Sequence, residues 1–245
     1  MDQLSGRVAL VTGSSGGVGA AIARLLSAKG AYVVINSVSS ASAGAALAAE
    51  LGSCYQQADV SDPASARALV NGVLAEHGRL DILVNNAATT EVIAHGDLDA
   101  ATPEVWRRLM ATNVIAPFVL TTAARPALDA APHGGVVINI GSISGLRPSG
   151  SSIPYAVSKA ALHHQTALLA VALAPTIRVN AVAPGMIETG WVASTPAARV
   201  AAIEVTPLAR TASPADVAQV VLAQITSRHV TGEVWVVDGG QRLVR

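Results

Sequence analysis

The chain has 245 residues, 51% of them hydrophobic and 13% charged, with 16 basic against 16 acidic side chains. That length suits a single α/β domain over residues 1–245, and the balanced charge leaves no basic field for nucleic acid or anionic lipid. The expected partner is a small molecule, with no nucleic acid and no membrane. The one cysteine, Cys54, excludes an internal disulfide and reads as a small buried hydrophobe in an apparent strand from Cys54 to Ala58.

Met1 to Arg7 shows no basic-then-apolar leader pattern, so a cytoplasmic location is expected. Short apolar runs then follow at Val8 to Val11, Tyr32 to Ile35, Asp81 to Val84, Val136 to Ile140, Ile177 to Val182 and Val234 to Val237. Helical patterns begin between them, near Gly17, Ser42, Pro63, Pro103, Pro154 and Pro214. Continuous apolar strands alternating with helices indicate a doubly wound parallel sheet, covered by helices on both faces. Asp62-Pro63 and Thr102-Pro103 each offer an N-cap before a first-turn proline, and Ser213-Pro214-Ala215-Asp216 adds a weak capping box. No formal charge occurs between Lys159 and Arg178. His163, His164, Gln165 and Thr166 interrupt that segment, which reads as a helix covered on both sides, one cover being another subunit.

The first strand runs into Thr12-Gly13-Ser14-Ser15-Gly16-Gly17-Val18-Gly19 and then an alanine-rich helix. Glycines at a strand-to-helix turn let a pyrophosphate approach the helix N-terminus, where free N–H groups and the dipole favour anions. The second strand ends at Ile35-Asn36-Ser37-Val38-Ser39-Ser40, and no Asp or Glu occurs between Gly13 and Ala49. In dinucleotide folds a carboxylate near this point bonds the ribose 2′-hydroxyl. Without one, a 2′-phosphate can be received by Asn36, Ser37 or Ser39, so NADP(H) is expected over NAD(H).

Tyr155 and Lys159 stand four residues apart in a helical segment, on one face, where a cation can ease proton exchange by a phenol. Together with the glycine turn, this pair resembles the short-chain dehydrogenase/reductase family, whose turn matches at Gly13, Gly17 and Gly19. The resemblance extends along the whole chain and implies a single Rossmann-fold domain. It implies cofactor contacts at Ser15, Val18, Asp59, Val60, Asn86 and Ala87, with Ala88 where the family has glycine. Pro184-Gly185-Met186-Ile187-Glu188-Thr189 resembles the loop that holds the nicotinamide carboxamide, bringing Pro184, Gly185, Ile187 and Thr189 into the set. Asp238-Gly239-Gly240 resembles the family's closing signature.

Ser142, thirteen residues before Tyr155, stands where the family has its catalytic serine, and Asn113 matches the fourth member of the tetrad. Pro117, four residues beyond Asn113, lacks the N–H that would bond the Asn113 carbonyl in an α-helix, which leaves that carbonyl available to a water in a proton relay. The implied chemistry is hydride transfer between nicotinamide and a carbonyl carbon. Tyr155 gives the proton, Ser142 bonds the carbonyl oxygen, and Lys159 holds the nicotinamide ribose and lowers the Tyr155 pKa. No histidine spacing fits a catalytic metal, and His163 and His164 read as packing or interface residues.

The substrate segments are Leu146 to Ile153 and the stretch 186–207, which resembles a lid. Ser144, Leu146, Met186 and Trp191 are the candidate contacts, and few charges line either segment, so an apolar or weakly polar ketone is expected. Within the family the chain resembles 3-oxoacyl-carrier-protein reductases, although Ala130 to Gly134 and Leu173 to Ile177 carry no Lys or Arg for docking an acidic carrier. A dinucleotide-sensing protein that has lost its chemistry is the rival from another class. The resemblance also implies a homotetramer, assembled through long helices at about 103–131 and 154–174.

Overall fold

The computed structural model describes residues 3–188 and 196–244. Seven parallel strands form one sheet in the order β3-β2-β1-β4-β5-β6-β7. They are β1 Val8–Val11, β2 Tyr32–Ser37, β3 Tyr55–Gln57, β4 Ile82–Asn85, β5 Gly135–Ile140, β6 Ile177–Pro184 and β7 Val234–Val237. The strand order reverses between β1 and β4, and the carboxyl edge beside such a reversal is where open α/β sheets bind ligands.

Alternation along each strand sends side chains into two cores. Ala9, Val11, Ile35, Ile82, Val84 and Ile138 pack on one face beneath α1 (Gly17–Ala28) and α8 (Pro214–Thr226). Val8, Leu10, Val34, Leu83, Val137 and Val179 pack on the other, beneath α3 (Pro63–His77), α5 (Ala116–Asp129) and α6 (Ile153–Leu173). Both faces are covered, which explains why the strands read as unbroken apolar runs rather than alternating ones. The strand expected from Cys54 to Ala58 is shorter, Tyr55–Gln57.

Capping residues fix where the helices begin. Asp62 accepts from the Ser65 N–H at 2.9 Å and Thr102 accepts from the Val105 N–H at 3.5 Å. Ser213 and Asp216 bond each other's main-chain N–H reciprocally, at 3.2 and 2.7 Å, so that box is complete rather than weak. The expected helix at 103–131 is three pieces: α4 Pro103–Met110, a π turn Ala111–Ile115, and α5. Within the expected lid, Pro196–Val205 forms a helix, α7. The remaining helix, α2, spans Ala41–Glu50.

Candidate active site

The glycine turn lies at the carboxyl end of β1, and its backbone demands the residues it has. Gly13 and Gly17 take φ of +61° and +54°, which side chains strain to adopt. A Cβ on Gly13 would stand 2.9 Å from the Ala87 Cα, and one on Gly19 2.6 Å from the Gly13 carbonyl. Gly16 caps α1 without a side-chain bond, and no acid occupies the first turn. This end of α1 therefore presents main-chain N–H groups and an uncompensated dipole, as a dinucleotide pyrophosphate requires.

Several expected cofactor residues spend their side chains on the protein around this turn. Asn36 is buried, with Oδ1 accepting from the Gly13 N–H at 3.3 Å and Nδ2 donating to the Gln56 and Ala58 carbonyls. Ser37 is buried too, its hydroxyl 2.9 Å from the Tyr55 hydroxyl. Their side chains are thus spent, and of the three groups expected near the 2′ position only Ser39 is exposed. Asn86 Nδ2 donates to the Thr12 and Gly13 carbonyls at 2.8 and 3.0 Å, so it too acts on the turn.

Thr12 and Ser14, which sequence reasoning passed over, complete this scaffold. The Thr12 hydroxyl accepts from the Asn86 and Ala87 N–H groups, tying β1 to the end of β4. Ser14 Oγ accepts from the Asn36 N–H and donates to the Val11 carbonyl. Small hydroxyl residues beside glycines were the only available signal. Ala88 avoids the left-handed region, so alanine is tolerated where the family has glycine. Ser15 and Val18 lie at the start of α1, exposed Asp59 and buried Val60 follow β3, and Pro184 to Ile187 leave the end of β6.

Ser142 follows β5 and caps a short 3-10 turn, Ile143–Gly145, where its Oγ accepts from the Ser144 N–H at 3.1 Å. That contact uses a lone pair and leaves the hydroxyl proton free to be donated. Tyr155 sits at the first turn of α6 because Ser152 caps the helix, accepting from the Tyr155 N–H at 3.3 Å. Lys159 comes one turn later, 2% exposed, with its ammonium 5.7 Å from the Tyr155 ring centroid and 2.8 Å from the Ile140 carbonyl. The carboxyl end of β5 and the start of α6 thus bring serine, phenol and ammonium together.

The electrostatics differ from expectation in one respect. Burial pushes the Tyr155 pKa up, opposed by a hydrogen bond from Ser142, and burial pulls Lys159 down to about 8. Lys159 was expected to lower the Tyr155 pKa, but its ammonium meets the ring face and bonds to the Ile140 carbonyl, so desolvation prevails.

Asn113 is buried in the π turn. Its Nδ2 donates to the Thr89 carbonyl and to Ser158 Oγ, and its Oδ1 accepts from the Thr89 N–H. The side chain therefore staples the loop after β4 to α6. Around Pro117 the helix departs from α pairing, with the Ala116 N–H on the Ala111 carbonyl, so the missing Pro117 N–H does not by itself free the Asn113 carbonyl.

Ser144 and Leu146 lie on the loop after Ser142, and Met186 follows β6, its N–H donating to Gln241 Oε1 at 3.3 Å. Thr189 and Trp191 lie outside the described residues. Arg147 spends its guanidinium on the Gln241 and Val244 carbonyls, and Glu188 pairs with Arg199. Cys54 is only half-buried, at the opposite edge of the sheet, with Sγ 3.7 Å from His77 Nε2 and its thiol pKa raised by burial.

Known proteins resemble this chain along almost its whole length. The family profile described as enoyl-(acyl carrier protein) reductase matches residues 13–242. A granaticin polyketide synthase putative ketoacyl reductase 2 from Streptomyces violaceoruber is 50% identical, over 97% of this chain and 96% of its own length. The 3-oxoacyl-[acyl-carrier-protein] reductase of Escherichia coli is 36% identical, over 98% of each chain. Among solved structures, the Pseudomonas aeruginosa RhlG/NADP active-site complex superposes with a TM-score of 0.90 at 35% identity, covering 98% of each chain. A glycine turn fit for a dinucleotide, joined to Ser142, Tyr155 and Lys159 at the carboxyl edge of β5, makes this chain a member of the short-chain dehydrogenase/reductase family, an NAD(P)(H)-dependent oxidoreductase.

Proposed function

We propose that this protein reduces the ketone of an apolar or weakly polar small molecule to a secondary alcohol, with NADPH as the preferred donor. The convergence of Ser142, Tyr155 and Lys159 carries the reading. When bound, the nicotinamide cofactor supplies the hydride to the carbonyl carbon. Tyr155, kept protonated by its raised pKa, delivers the proton to the carbonyl oxygen, and the Ser142 hydroxyl, which otherwise donates to Tyr155, turns its proton to that same oxygen as charge builds. Lys159 keeps a positive charge below pH 8, suited to the nicotinamide ribose and to restoring the Tyr155 proton through Asn113.

The substrate class is supported by the charges of the two expected substrate segments, since Arg147, Glu188 and Arg199 are already satisfied within the protein. NADPH preference rests on the absence of any acid between Gly13 and Ala49 and on exposed Ser39 and Ser40 beyond β2. The protein is further read as a cytoplasmic homotetramer. Turnover of a ketone panel with NADPH and NADH tests the reading, NADPH giving several-fold higher kcat/KM. Equal use of NADH overturns the preference, and tight NADPH binding without turnover replaces the enzyme with a dinucleotide sensor.

A carrier-bound 3-oxoacyl thioester is the second reading, favoured by the 50% identity to a putative ketoacyl reductase of a polyketide synthase. It lacks basic residues at Ala130 to Gly134 and Leu173 to Ile177 to meet an acidic carrier. Comparing carrier-bound with free thioesters separates the two.

A further inference from the structure

His163 lies one turn beyond Lys159 on α6 and is buried. Its Nε2 accepts from the Ser142 N–H at 3.5 Å, a long contact whose weight comes from packing more than from bond strength. A Cβ added to Gly141 would stand 2.1 Å from His163 Nε2, and one added to Gly145 would stand 2.9 Å from His163 Cε1. The two glycines that bracket Ser142 thus close around this imidazole. At Gly145 the α6 backbone also presses, 2.7 Å from the same added atom, whereas at Gly141 the nearest obstacle is the histidine ring.

Acceptance by Nε2 requires a neutral ring with its proton on Nδ1. Among the described residues Nδ1 has no hydrogen-bond partner. Burial and the Lys159 charge hold the His163 pKa down at about 4, so the ring stays neutral beside the ammonium. Lys159 is the charged group facing it; residues 141–145 carry none.

Building on the reading of Ser142, Tyr155 and Lys159 as the reacting groups, we propose that His163 is a positioning residue for Ser142. Its ring is the template around which the Gly141 to Gly145 loop folds, which sets the serine hydroxyl in register with Tyr155 and Lys159 on the same helix. A small error at a reacting hydrogen bond suffices to slow chemistry without weakening cofactor binding.

The test is a set of variants assayed with NADPH and a turned-over ketone. His163→Leu, which fills the space but cannot accept, lowers kcat roughly tenfold with the NADPH KM nearly unchanged. His163→Gln, whose Oε1 reaches the Nε2 position, restores most of kcat, and His163→Asn does not. Gly141→Ala alone is strongly impaired, while Gly141→Ala with His163→Ala recovers to the reduced level of His163→Ala alone because the obstructing ring is gone. Full kcat in His163→Leu, or losses that simply add in the double variant, overturns the proposal. Should His163→Leu fail to fold, the contrast between Gln and Asn decides. Tyr155→Phe is run alongside: if it remains active, the parent reading fails, whatever His163 does.

Discussion

Lys159 carries an ammonium into a site where 2% of its surface meets solvent, with one hydrogen bond among the described residues, to the Ile140 carbonyl. Its pKa falls from an ordinary 10.5 to about 8 on folding, which at neutral pH costs about 3 kcal/mol of stability. Between pH 8 and 10.5 the unfolded chain binds more protons than the folded one, so this penalty fades as pH rises through that window. Lys159→Met is therefore expected to abolish reduction while gaining stability at pH 7, less about 1–3 kcal/mol for the orphaned Ile140 carbonyl. The difference from wild type shifts toward wild type by pH 9.5. Urea melts at both pH values measure this, and a constant difference would mean an unperturbed lysine. Activity should fall along a limb near pH 8 as the charge is lost. Tyr155, Lys159 and Ser142 were legible in their placement because residue type and interval bring them to the start of α6. Asn36, Ser37 and Asn86 were not, because what turns them inward comes from distant segments: Gln56 and Ala58, Tyr55, and Thr12.

At the scale of elements, caps read from short patterns reappear as hydrogen bonds, since each needs only a few neighbouring residues to form. The π turn at Ala111–Ile115 was hidden. Pro117 announced a missing N–H, but whether the helix leaves a carbonyl open or shifts its register depends on what packs beside it. Asn113 shows what the shift accommodates: a buried amide that joins Thr89 to Ser158 across two elements. Asn113→Ala retains the main-chain carbonyl of the proposed relay and removes only this staple. It should cost about 2 kcal/mol, the scale for stranding buried hydrogen-bonding groups, and lower kcat as the loop after β4 loosens against α6. Thermal melts and a pH–rate profile check both parts. Full activity with an unchanged profile would mean that this side-chain staple has no part in the mechanism.

Across the whole molecule, the continuous apolar runs foretold a sheet buried on both faces, and both cores are present. What one chain's sequence reads less directly is which apolar helix faces remain outside those cores. Ile115 and Phe118, at the π turn and on α5, are each 47% exposed, and on α6 Leu168 and Val171 are 59% and 83% exposed. Large apolar side chains gathered on two successive helices are better explained by a covering surface than by scatter. The segment from Ala160 to Ile177 carries no formal charge that burial against another subunit would have to desolvate. In the proposed tetramer, these faces of α5 and α6 meet their equivalents in neighbouring subunits. Leu168→Glu with Val171→Glu would place several carboxylates in that interface, and light scattering should then report smaller species than wild type. Because Tyr155 and Lys159 occupy the first two turns of α6, dissociation should also lower the melting temperature and kcat. A wild-type chain that runs as a monomer at micromolar concentration would contradict this assembly, leaving the exposed helix faces to be explained by another partner.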